Sequence, residues 1–139
     1  MGKVSITIPS TATLTTTVAT GELYLGGGAT GNVFYFSGVR NIDLGFNLGS
    51  VITFNQDDAS NDGHPLIITT DTSSPNSYIV SSGVVYYLDG TSTQSNYVNT
   101  TTFNAASNRY LQWTPSAAGT YYYACYVHGI GMGGKITIS

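Results

Sequence analysis

The C-terminal stretch TYYYACYVHGIGMGGKITIS, Thr120–Ser139, carries the decisive pattern of this 139-residue chain. Its first half reads as a β-strand, because a run of Tyr residues fits a pleated surface. Side chains alternate along a strand, so Tyr121, Tyr123 and Cys125 share one face. The strand then meets His128, Gly129, Gly131, Gly133 and Gly134, and glycine permits the tight turns and close backbone approach of a compact loop. KITIS resumes the alternation to the end. Cys125 is the only cysteine, His128 is one of two histidines, and Met132 is the only methionine besides Met1. Taken singly, each reads as an ordinary core or surface residue. Grouped within eight positions, they also read as three ligands of one metal ion.

Outward from that stretch the chain keeps the same style. KVSITIP, ATLTTTV, NVFYF (Asn32–Phe36), SVITFNQ (Ser50–Gln56), PLIITT (Pro65–Thr70), VVYYL (Val84–Leu88) and YLQWTP (Tyr110–Pro115) all read as strands. Gly-, Asp-, Ser- and Pro-rich breaks separate them. No window of a dozen residues shows apolar positions at helical spacing, so no helix is expected. The polar region from about Thr91 to Asn108 reads as a long loop. Residues 1–139 are expected to form one all-β domain, a sandwich or barrel of about eight strands, with 1–30 as an added N-terminal strand or arm.

Composition narrows the function. Only 8% of residues are charged and the net charge is −3, with four scattered basic residues. A nucleic-acid footprint is therefore absent. No apolar run reaches membrane-spanning length, and MGKVSITIPS lacks the apolar core of a signal peptide. A single cysteine excludes an internal disulfide. Asp57, Asp58 and Asp62 share one loop without calcium-binding spacing, and read as a solvated turn. Asn99-Thr100-Thr101 fits a glycosylation sequon, a pattern short enough to arise by chance.

Thiolate, imidazole and a weak axial thioether are the donors of a blue-copper site, which also needs a second imidazole. The other histidine, His64, lies in GHPLIITT at the junction of a polar loop and an apolar strand. Zinc is the rival ion, but structural zinc sites usually take four strong donors. The thiolate and thioether suit Cu(I), while imidazole serves both oxidation states, so the mixture suits one-electron chemistry.

WTPSAAGTYYYACYVHGIGMGGKITI resembles the C-terminal signature of the cupredoxins: aromatic-Thr-Pro, a Tyr-rich strand, Cys, His, Met and a final strand. GHPLIITT resembles the family's upstream histidine strand. The resemblance covers about Gly49–Ser139 and implies a Greek-key β-sandwich. It implies one copper per chain, held by His64, Cys125, His128 and weakly Met132, with outer-sphere electron transfer rather than enzymatic turnover. A redox protein is the implied partner, docking over Gly63, Gly129, Ile130 and Gly131 beside a partly exposed His128, with Pro65 at the same rim. One departure stands out. Many cupredoxins have Asn after the first histidine, and its N–H bonds the cysteine sulfur. Here Pro65 has no N–H to offer, whereas Val127, where plastocyanin-like loops often have Pro, does have one. The sulfur's hydrogen bond is expected to have moved to Val127.

GHPL together with the YYY…C-x2-H…GMGG pattern also resembles cupredoxin-like domains in structural proteins of marine phages. That implies an alternative: a virion or surface-assembly module with a copper site of uncertain use, assembled into a larger particle. The implied compartment is periplasmic or extracellular if a leader has been removed, and the virion on the phage resemblance.

Overall fold

Alternation is directly visible in the central strand Val51–Asn55, where Ile52 and Phe54 are fully buried and their neighbours only half so. The computed structural model describes residues 5–8, 11–40 and 42–139. Within them lie ten strands: β1 (Ser5–Ile8), β2 (Thr11–Glu22), β3 (Thr30–Phe36), β4 (Asp43–Phe46), β5 (Val51–Asn55), β6 (Leu66–Thr69), β7 (Val84–Leu88), β8 (Arg109–Trp113), β9 (Gly119–Cys125) and β10 (Gly129–Ile138). Lys3 and Val4, which open the first expected strand, lie outside the described residues.

The strands form two five-stranded sheets, ordered β1-β4-β10-β9-β6 and β3-β2-β5-β8-β7. The apolar faces of both meet in one core. Leu66, Ile68, Tyr123, Cys125, Ile136 and Leu44 come from the first sheet, and Phe34, Phe36, Ile52, Phe54, Leu111 and Trp113 from the second. Tyr123 joins the two layers: its ring meets Phe36 edge-on at 5.1 Å and stacks near Phe54 at 6.4 Å. Segment β1 sits at the edge of the first sheet. Segment β2 lies inside the second, antiparallel to β3 and parallel to β5.

Two expectations are corrected. The strand DLGF, β4, was not foreseen, and it runs parallel between β1 and β10. Four residues with a glycine among them give too short an alternation to read. The expected loop after Thr91 contains two short helices, α1 (Gln94–Val98) and α2 (Thr100–Ala105). Their signal is capping rather than periodicity. The Thr93 side chain accepts from the Asn96 N–H, and Asn99 accepts from those of Thr101 and Thr102. Tyr97 and Phe103 point inward from the two helices, fully buried, with rings 5.1 Å apart edge-on.

Candidate metal centre

The topology brings two separate loops to one end of the first sheet. Cys125 ends β9, and its register partner on β6 is Leu66, two residues after His64. The turn after β9 carries His128 and closes where Gly129 pairs with Cys125 in β10. Gly129 takes φ +86°, a left-handed value that suits glycine. The ladder then shifts register between Gly129 and Gly134, a bulge that carries Met132. A Cβ at Gly133 would lie 1.6 Å from the Tyr123 carbonyl oxygen, so no side chain fits there. The glycines of GMGG thus let the bulge lie flat against β9.

Three donor atoms converge. His64 Nδ1 lies 3.1 Å from His128 Nδ1, and Cys125 Sγ lies 3.8 Å and 3.6 Å from them respectively. A circle through the three atoms has a radius of about 2.0 Å, against metal–ligand bonds of about 2.0–2.3 Å for imidazole nitrogen and thiolate. The triangle is therefore the right size for one metal ion at its centre. Among the described residues this is the one grouping of three or more His, Cys, Asp or Glu side chains suited to that role. Cys125 and His64 are buried and His128 is exposed. Met132 is also buried, and it lines a hollow of about 250 Å³ with His128, Gly131, Leu23 and Asn32.

The electrostatics follow from that burial. His64 is held below the ordinary imidazole range, first by desolvation and then by the nearby His128, with Asp62 opposing. Burial pushes the Cys125 thiol up, while the nearby backbone N–H groups of His128 and Val127 pull it down. Pro65 instead accepts from the Tyr126 N–H through its carbonyl, at 2.9 Å. Pro65 is buried, so it contributes nothing to the surface rim expected of it, whereas Gly63, Gly129, Ile130 and Gly131 are half-exposed.

Several supporting residues carried no readable signal. Gln56, fully buried, donates through Nε2 to the His64 carbonyl at 2.8 Å and to Asn61 Oδ1 at 2.9 Å. Its Oε1 accepts from the Leu66 N–H and the Tyr97 hydroxyl. Arg109, also buried, pairs with Asp62 at 2.6 Å and donates to the carbonyls of Gln56, Asp58 and Phe103. The acidic loop is thus more than a solvated turn: Asp57 accepts from the Arg109 N–H and Asp58 caps Ser60. Helix α2 adds a tether, as Asn104 Oδ1 accepts from the Gly63 N–H at 2.7 Å. On the other side the β2–β3 hairpin leans on the ligand loop, where the Tyr24 N–H donates to the Gly131 carbonyl at 2.9 Å.

The two-sheet sandwich and its strand order define the fold as that of the cupredoxins. Among solved structures the chain is similar to reduced rusticyanin, at 21% identity and a TM-score of 0.51, over 97% of this chain and 84% of that one. It is likewise similar to rusticyanin from Thiobacillus ferrooxidans, at 23% identity and a TM-score of 0.52, over 99% and 86% of the two chains. A solution structure of reduced rusticyanin gives 20% identity and a TM-score of 0.53, over 99% and 81%. No family model and no curated protein matches the chain.

Proposed function

We propose that this chain binds one copper ion through His64 Nδ1, His128 Nδ1, the Cys125 thiolate and, weakly, the Met132 thioether, and that it carries single electrons. The observation that carries this reading is the donor triangle of His64, Cys125 and His128, sized for one ion and buried on two of its three corners. The fold likeness to rusticyanin, described in one solved structure as a copper protein, supports it. Bound copper would supply the one-electron couple, with the weak thioether favouring its reduced form and imidazole accepting both forms.

The chain's own residues do the rest. Cys125 gives up its thiol proton to bind, and both histidines bind through Nδ1 with their proton on Nε2. Gln56 and Arg109 fix the His64 loop, and a ligand cage that barely moves keeps reorganisation on electron transfer small. Burial of Cys125 and Met132 keeps bulk water off the sulfur ligands. His128 is the exposed corner, so electrons pass through its edge, over a rim of Gly63, Gly129, Ile130 and Gly131, to a redox protein. Few charges lie at that rim, and the transfer rate should vary little with ionic strength.

Copper(II) titration of the metal-free protein tests the reading, followed by visible absorption and EPR, with Cys125→Ser in parallel. The expected result is a thiolate-to-copper band in the wild type alone, saturating at one copper per chain. Repeated reduction and reoxidation should return the same band, which separates electron transfer from copper storage. A wild-type spectrum equal to that of Cys125→Ser would overturn the proposal.

A further inference from the structure

Arg40 is 6% exposed, and no acidic residue among the described residues forms an ion pair with it. Its Nη1 donates to the Tyr123 hydroxyl at 3.2 Å and its Nη2 to the Glu22 carbonyl at 3.4 Å, both long bonds to neutral oxygens. Its buried Nε has no hydrogen-bond partner. A guanidinium has five N–H donors, and a buried cation is costly unless a negative group compensates it. Among the described residues nothing supplies that compensation.

The same side chain lines a cavity of about 400 Å³, within the size range of small-molecule sites. The other walls are mostly apolar: Leu23, Leu25, Ile42 and the rings of Tyr24 and Tyr35. Leu25 is unusual on two counts. It is 67% exposed, and it holds φ +58°, a left-handed conformation that costs a non-glycine residue about 1–2 kcal/mol. The core gains nothing from this apolar residue, which is held in a strained turn at the cavity. Strain of this kind clusters at ligand clamps and active sites.

We infer that this cavity is a binding site for a small organic monoanion, a monocarboxylate whose charge pairs with Arg40 and whose apolar body rests on Leu23, Leu25 and Ile42. One cation and a largely apolar wall suit one negative charge on an apolar frame. Arg40 is the one cationic residue of the lining, so nothing there pairs with a second negative charge such as that of phosphate or a dicarboxylate. The site is separate from the copper centre. Leu23 stands between them, with this cavity on one side and the hollow beside His128 on the other. The inference therefore does not depend on copper.

The test is an NMR titration of the full chain with benzoate, against benzyl alcohol as its neutral counterpart. Benzoate should shift the amides of residues 22–25, 35, 40 and 42 saturably, with affinity at least about tenfold above that of the alcohol, since a charge-assisted bidentate bond is lost in the latter. Arg40→Lys keeps the charge without the planar fork and should weaken benzoate about tenfold. Leu25→Asp acts on an exposed residue, in a conformation Asp adopts more readily, so the fold survives while charge repulsion weakens benzoate similarly. If Arg40→Lys fails to fold, Leu25→Asp decides. Equal binding of benzoate and benzyl alcohol, non-saturating shifts, or wild-type affinity in Leu25→Asp would each overturn the inference.

Discussion

At Pro65 the backbone has no hydrogen to donate, and the backbone N–H groups placed to favour the Cys125 thiolate are those of His128 and Val127. In a copper-loaded site hydrogen bonds from these groups to the sulfur compete with electron donation from thiolate to metal. That donation stabilises Cu(II) more than Cu(I), so each N–H···S bond raises the reduction potential. Val127→Pro deletes one of them. A hydrogen bond is worth about 1 kcal/mol, so the potential should fall by about 40 mV for this one-electron couple. Val127→Ala keeps the N–H and serves as the control, with a potential near that of the wild type. Voltammetry of both variants reads the difference directly, and an unchanged potential in Val127→Pro would show that the bond has no tuning role. The exposed side chain of Val127 makes either replacement mild for the fold.

The loop that carries His64 is shaped by elements far from it in sequence. Gln56, just after β5, uses all its main bonding capacity on Asn61, His64, Leu66 and Tyr97. Asn61 in turn donates to the Thr16 carbonyl on β2 at 2.8 Å, and Ser60 Oγ accepts from the Val18 N–H. Gln56→Ala leaves the Leu66 amide, the Tyr97 hydroxyl and the His64 carbonyl without buried partners. It should destabilise the protein by about 3 kcal/mol in urea unfolding and speed copper loss to a chelator. A cost below about 1 kcal/mol would mean that water replaces the side chain without strain. This network explains what the sequence could and could not reveal. Alternation made β2, β3, β5, β7 to β9 and the end of β10 readable, whereas β6, buried on both faces, was readable as a short apolar run between turn residues. The rarity of Cys and His made His64, Cys125 and His128 readable as a set. Gln56 and Arg109 were silent, since a polar residue at a strand end looks alike whether it faces solvent or a buried loop. Only the pairing of β5 with β8 brings Arg109 against the Gln56 carbonyl. Helices α1 and α2 were silent because five or six residues hold too few turns to show a period.

Across the described residues of the molecule the core carries three buried phenol groups, those of Tyr86, Tyr97 and Tyr123. Tyr97 and Tyr123 are fully buried and hydrogen-bonded, to Gln56 and Arg40 respectively. Tyr86 is buried with no partner for its hydroxyl. Desolvation raises all three above the ordinary value of 10.0, Tyr86 to about 12 and the other two in the same direction. In the unfolded chain these groups ionise near pH 10, while in the folded state they hold their protons further. Between those limits the folded state binds more protons, so stability falls as pH rises. The protein should therefore hold a constant alkaline-side stability up to about pH 10 and lose it steeply towards pH 12. Urea midpoints at pH 7, 9 and 11 would follow this, and a flat profile through pH 11 would contradict it. Tyr86→Phe isolates one contribution. At pH 7 it should be no less stable than the wild type, because the hydroxyl it removes is buried and unbonded. Above pH 10 its decline should be shallower by up to one proton, since one group that resists ionisation in the folded state is gone. A decline equal to that of the wild type would mean that Tyr86 is solvated before unfolding, and would assign the alkaline transition to Tyr97 and Tyr123 alone.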